Sequence, residues 1–120
     1  MGLVKIMTLT RRQAARKGKQ IEGALVQYLE AKGYECARAD LSRFPDIIYW
    51  DHHDVFFAEC KYAGSKRSLS AAKYSFKVAL QERAFFPDEC PVELWAWFQP
   101  EETWLVFESI DGELVAKGER

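Results

Sequence analysis

The chain has no apolar run long enough to cross a membrane, and its first ten residues, Met1 to Thr10, lack the long apolar centre of a secretory signal. Ile6 stands where a myristoylation signal places Ser or Thr. Cysteine is scarce: Cys36, Cys60 and Cys90 are odd in number, far apart and outside any C-x-x-C. That pattern argues against a disulfide scaffold or a zinc knuckle and for a cytoplasmic chain with reduced thiols. Internal repeats, low-complexity tracts and interdomain linkers are missing too. Acid is absent from the first twenty residues, which hold Lys5, Arg11, Arg12, Arg16, Lys17 and Lys19.

What is present suits one globular domain. The length is 120 residues and the hydrophobic share 48%, enough to bury a core. We expect a single domain over the whole chain with a basic N-terminal arm of about residues 1–12. The net charge of −1 hides an asymmetry: residues 1–79 carry fourteen Lys and Arg against eight Asp and Glu, and residues 80–120 carry three against ten. A basic half backed by an acidic one is the charge layout of a phosphate-binding face.

The densest chemistry lies in F-P-D-I-I-Y-W-D-H-H-D-V-F-F-A-E-C-K, Phe44 to Lys61. It reads as two short apolar strands joined by a polar turn at Asp51-His52-His53-Asp54. Side chains on a strand alternate faces, so Glu59 and Lys61 share one face and Phe56, Ala58 and Cys60 the other. A hairpin through the turn brings Asp46 next to Glu59. Two carboxylates about 5 Å apart repel by about 3 kcal/mol at an effective dielectric near 20, so something must offset them. Lys61 neutralises one charge. A divalent cation bridging both acids reverses the sign of the interaction, and hard ions such as Mg²⁺, with Mn²⁺ as a substitute, take carboxylate oxygens and keep open positions for phosphate. The bland alternative is an ion-paired sheet edge without chemistry. His52 and His53 project oppositely from an extended chain and read as turn residues, and Cys60, facing away from the acids, is a poor candidate nucleophile.

Around this stretch, Ile21, Ala24, Leu25, Tyr28 and Leu29 form an amphipathic stripe, and the expected helix runs from Thr10 or Arg12 to Lys32, with Gly33 as its C-terminal cap. Glu22 beside that stripe is either a solvent-facing helix residue or a third carboxylate for the site. Tyr34 to Ala39 reads as a strand ending in Arg38, which either contacts phosphate or pairs with Asp40; Ser42 and Arg43 follow in a loop. Lys66 and Arg67 fall in a polar loop before a helix from about Ala71 to Phe86, capped by Ser68 or Ser70, that buries Ala72, Phe76, Ala79 and Leu80. Lys73 and Lys77 share one face of that helix and either extend a basic track or form its wet side. Val92 to Phe98 and Trp104 to Glu108 are the late strands, the latter ending before a turn at Asp111-Gly112. Three of the four tryptophans lie there, an aromatic excess that core packing and a two-fold dimer interface together would absorb.

Placed in order, R-K-G-K-Q-I-E (Arg16 to Glu22), K-G-Y (Lys32 to Tyr34), R-x-x-x-S-x-x-P-D (Arg38 to Asp46) and E-C-K (Glu59 to Lys61) resemble the archaeal-type Holliday junction resolvases of the PD-(D/E)XK nuclease superfamily. The resemblance implies an α/β, restriction-endonuclease-like fold with a central mixed sheet of about five strands flanked by helices. It implies a homodimer that holds a four-way DNA junction and nicks opposed strands with Mg²⁺. In that light Glu22 matches the helix-borne acid, Asp46 and Glu59 the metal-binding carboxylates with the Cys60 carbonyl beside them, and Lys61 the catalytic lysine. DNA would meet Arg11, Arg12, Arg16, Lys17, Lys19, Arg38, Ser42, Arg43, Lys66, Arg67, Lys73 and Lys77. Gly23 departs from the family, where a basic residue often follows the first acid, and beyond Ser65 the match is loose. The rival expectations are another nuclease of this superfamily, of repair, flap or restriction type, and a nuclease-like protein that binds DNA without cutting.

Overall fold

The helical stripe of the N-terminal third and the apolar alternation of the middle need a common surface to bury against. In the computed structural model, which describes residues 11–39, 45–82 and 90–117 and the side chains of all of these except 11–15 and 82, that surface is one sheet. Helix α1 spans Arg11–Ala31 and buries Ile21, Leu25 and Leu29 completely or nearly so. It stops where the sequence places a glycine. Gly33 has φ 97°, a conformation glycine adopts without strain, and the Gly33 and Tyr34 N–H groups donate to the Glu30 and Leu29 carbonyls at 3.0 and 3.1 Å.

Six strands follow: β1 (Glu35–Arg38), β2 (Ile47–Trp50), β3 (Val55–Ala63), β4 (Val92–Phe98), β5 (Thr103–Ile110) and β6 (Glu113–Lys117), with helix α2 (Lys66–Glu82) between β3 and β4. They lie side by side in chain order, antiparallel everywhere except between β3 and β4. That exception has a local cause, because two parallel strands need a long crossover and α2 supplies it. The helices take opposite faces. On one, α1 packs on Ile47, Tyr49, Phe56, Ala58, Cys60 and Trp95; on the other, Phe76 of α2 packs on Leu94 and Phe107. Strand β4 is therefore buried on both faces, and even Glu93 is fully enclosed, accepting hydrogen bonds from the Tyr49 hydroxyl and, at 2.8 Å, from the Trp95 indole, with Lys117 of β6 3.9 Å away.

Three expectations need correction. The sheet has six strands rather than about five, because the Asp111-Gly112 turn opens a further strand. With φ values of 51° and 81° those two residues form the mirror-image two-residue turn that matches strand twist, and Ile110 pairs with Glu113 across it. Helix α2 starts at Lys66, five residues before the Ala71 expected, and its cap is Ser65: the Ser65 hydroxyl accepts the Ser68 N–H at 3.1 Å. Lys66 and Arg67 thus stand on the first helical turn and not in a loop. Ala24, expected in the core, is exposed, and Ala79 and Leu80 are half-buried. The expected end of α2 at Phe86 lies outside the described residues, as do Ser42 and Arg43 and the side chains of Arg11 and Arg12.

Replacing Ser65 with Ala is expected to lower stability by about 1 kcal/mol in urea unfolding, whereas Ser70→Ala, on an exposed position inside the helix, changes it little. Equal effects at the two positions would return the cap to the later serine.

Candidate active site

The site begins where β2 runs out. The register pairs Ile47 with Ala58, and one residue further Asp46 donates its N–H to the Ala58 carbonyl at 3.0 Å. Beyond that point no described residue on the β2 side offers β3 a backbone partner, and the Asp46 side chain takes over: its Oδ2 accepts the Cys60 N–H at 2.9 Å. This bond fixes the carboxylate against β3.

Alternation then decides who faces whom. Ala58 and Cys60 are buried against α1, so Glu59 and Lys61 emerge on the opposite face, where Asp46 also lies. Burial, a hydrogen bond to Asp46 and the charge of Asp46 push the Glu59 carboxyl up to about 8, only partly opposed by Lys61. The Lys61 ammonium stands 3.6 Å from Glu59 Oε2, and Lys61 is the more open of the two, with 41% of its side chain exposed against 12%. Two acids and one cation, partly dehydrated, thus share a patch in which one acid holds its proton at neutral pH.

Glu22 comes from α1, across the sheet. Its Oε1 accepts a hydrogen bond from Arg38 Nη2 at 3.1 Å, so the strand-end arginine pairs with the helix acid. Glu22 is near enough to Cys60 that its charge, after burial and the charge of Asp46, helps to raise the thiol. A cysteine so protonated is no nucleophile. Among the described residues, no group of three or more His, Cys, Asp and Glu side chains converges closely enough to hold a metal. Of the two expectations for Glu22, a solvent-facing helix residue or a third carboxylate of the site, the described residues show neither plainly: Glu22 is half-buried and pairs with Arg38. What remains, Asp46 with Glu59, still suits a hard divalent ion, which commonly takes one or two carboxylates and completes its shell with water and phosphate.

The basic residues divide. Arg16, Lys19, Lys66 and Arg67 are exposed. Lys17 lies over the Tyr62 ring, 4.9 Å from its centroid. Lys73 and Lys77 are half-buried, Lys73 over the Phe107 ring and Lys77 3.8 Å from Glu113. His52 and His53 are exposed turn residues, and the Asp51 carboxylate accepts the His53 and Asp54 N–H groups at 2.8 Å. Sequence reasoning missed Glu93. Its only signal is an acid inside an otherwise apolar strand pattern.

The chain is similar to the Archaeoglobus fulgidus Hjc, a Holliday junction resolvase from an archaeal hyperthermophile, solved at 1.6 Å: TM-score 0.51, 17% identity, covering 77% of this chain and 72% of that one. The two share a fold. No protein-family model matches the chain, and neither does any curated protein. No described helix is long and apolar enough to cross a membrane.

The raised Glu59 carboxyl has a thermodynamic consequence. Its folded-state value of about 8 lies above the ordinary 4.5, so between those values the folded state holds a proton that the unfolded chain releases. Stability of the metal-free protein is expected to fall by a few kcal/mol as pH rises through that window. Glu59→Gln should flatten the slope in urea melts taken in chelator; a slope as steep as the parent's would contradict the buried pair.

Proposed function

We propose that this chain is a divalent-metal-dependent DNA endonuclease that resolves four-way junctions as a homodimer by nicking opposed strands. The observation that carries the reading is the pairing of Asp46 and Glu59 at the end of β2 with Lys61 beside them on the same face. The fold shared with the Archaeoglobus resolvase supports it. So does the exposed basic surface at Arg16, Lys19, Lys66 and Arg67.

Phosphodiester hydrolysis needs an activated water, relief of negative charge growing on the phosphoryl oxygens, and help for the departing 3′ oxygen. Asp46, Glu59 and the Cys60 carbonyl would hold Mg²⁺ or Mn²⁺, with Glu22 joining if it leaves Arg38. The bound ion supplies Lewis acidity toward the phosphate and its nucleophile. Asp46 is already oriented by the Cys60 N–H. Glu59 must give up its proton before it can act as a ligand, so activity should climb as pH approaches the Glu59 value of about 8. Lys61, the more exposed partner, positions the attacking water or offsets the charge that develops on phosphate. Junction choice then comes from geometry, with two such sites spaced by the dimer and basic residues following phosphates, because four-way junctions differ in base sequence.

One observation favours a second reading, a nuclease-like fold that binds DNA without cutting: the Glu22–Arg38 pair leaves the site with two acids among the described residues. An Mg²⁺-dependent cleavage assay on a synthetic immobile junction, beside linear duplex, flap and single strand, separates the readings. We expect nicking of the junction that is lost in Asp46→Asn, Glu59→Gln and Lys61→Ala while binding persists. Any of the three cutting like the parent would refute the assignment. Junction affinity should also fall steeply from 50 to 200 mM salt, with a log–log slope of several units, and a flat response would remove the basic face.

A further inference from the structure

The late-strand tryptophans are only partly used by the core. Trp95 is fully buried, but Trp97 and Trp104 are half-buried. The register places Tyr62 of β3 beside Trp97 of β4, and Trp97 beside Trp104 of β5. Three aromatic side chains therefore stand in one row across three neighbouring strands, about 4.8 Å apart at the backbone, on the face that carries α1. Trp97 and Trp104 meet edge to face, with centroids 5.3 Å apart and planes at 71°, so they do not stack face on face with one another.

The described side chains of helix α1 do not close over this row. Its buried stripe is Ile21, Leu25 and Leu29, and toward the row it turns the small, exposed Ala24 and the amide of Gln20. Two hollows result, of about 290 and about 190 Å³, which share Trp97 and Trp104. Tyr28, Trp95, Glu102, Thr103 and Val106 complete the larger; Lys17, Gln20 and Gln99 bring polar atoms to the smaller. Each is below the ~300 Å³ at which drug-sized pockets begin, so the space suits a single flat ring system. Charge distinguishes the two ends. Lys17, with exposed Arg16 and Lys19 on the same helix, makes one end cationic, whereas Glu102 borders the other.

We propose that this aromatic row binds an unpaired nucleobase of the DNA strand being processed, stacked on Trp97 or Trp104 with its phosphate toward Lys17. Every base has a face that can stack on an aromatic ring, and a base inside continuous duplex has both faces covered. The groove thus selects DNA with an unpaired base, at a branch point or strand end. It adjoins the site already described: Tyr62 follows Lys61 on the opposite face of β3, and among the described residues β2 pairs with β3 only as far as Ala58, so a DNA strand that reaches both sites passes that part of β3. The inference rests on the nuclease reading and names the substrate feature that reading lacks.

The test titrates full-length protein, in chelator, into a single-stranded DNA oligonucleotide carrying 2-aminopurine, with a blunt duplex in parallel. Stacking should quench the analogue. Trp104→Leu should weaken single-strand binding roughly 10-fold, Trp104→Phe should restore most of it, and neither should change duplex binding. Single-strand binding by Trp104→Leu equal to the parent's overturns the proposal, and so does an equal loss on duplex. If circular dichroism shows Trp104→Leu unfolded, Lys17→Glu replaces it and should weaken single-strand binding several-fold; no change there overturns the proposal as well. Sedimentation in which Trp104→Leu turns a dimer into a monomer also overturns it, because the row is then a subunit interface. Binding is read without cleavage, so the two readings fail separately: quenching by a protein that cuts no junction keeps the groove and removes the nuclease, and junction cleavage with no quenching does the reverse.

Discussion

One hydrogen bond organises the proposed site: the Cys60 N–H donating to the Asp46 carboxylate at the point where β2 stops. A backbone N–H half withdrawn from water needs an acceptor, and a strand that ends early takes its own away. Asp46 supplies it with a side chain, which places a carboxylate on the edge of β3. Had β2 continued for two more residues in register, backbone carbonyls would have filled the same role and the acid would have had no structural reason to lie against β3.

The bond sets up a conflict. Glu59 is nearly enclosed and lies close enough to Asp46 for the two to share a hydrogen bond, so burial and like charge together keep Glu59 protonated near neutral pH. Lys61 offsets part of this from 3.6 Å. Such an arrangement costs stability whenever the proton leaves, and it persists only where the surrounding sheet is stable enough to hold it. Here the sheet is: β3 and β4 lie at its centre with a helix on each face, and Glu93 and Lys117 tie the last strand to the middle one. A divalent ion would turn the same two carboxylates from a liability into a binding site.

The two faces of the sheet divide the labour. The acids and Lys61 share the side that packs α2, while α1 covers the other with Ile21, Leu25 and Leu29 and leaves the Tyr62, Trp97 and Trp104 row only partly sheltered. Because successive side chains of a strand alternate, the single tripeptide Cys60-Lys61-Tyr62 serves the core, the charged patch and the aromatic row in turn.

Much of this was legible in the residues. Periodicity gave α1, Gly33 its end, and alternation the separation of Glu59 and Lys61 from Cys60; the polar turn at Asp51 to Asp54 fixed the hairpin that brings Asp46 to Glu59. These rest on backbone geometry within a few residues, which sequence dictates directly. What depended on distant parts of the chain was not legible. The Glu22–Arg38 pair spans sixteen positions and forms because α1 lies across β1 and β2, and the burial of Glu93 needs Tyr49, Trp95 and Lys117 from three strands. The sixth strand follows an Asp-Gly turn that the sequence displays, but Glu113 to Lys117 is half polar and becomes a strand by pairing with β5. The chain by itself determined which residues stand next to which along each element; the packed sheet decided which charges meet across it, because a side chain's neighbours in space are set by register and crossover rather than by spacing.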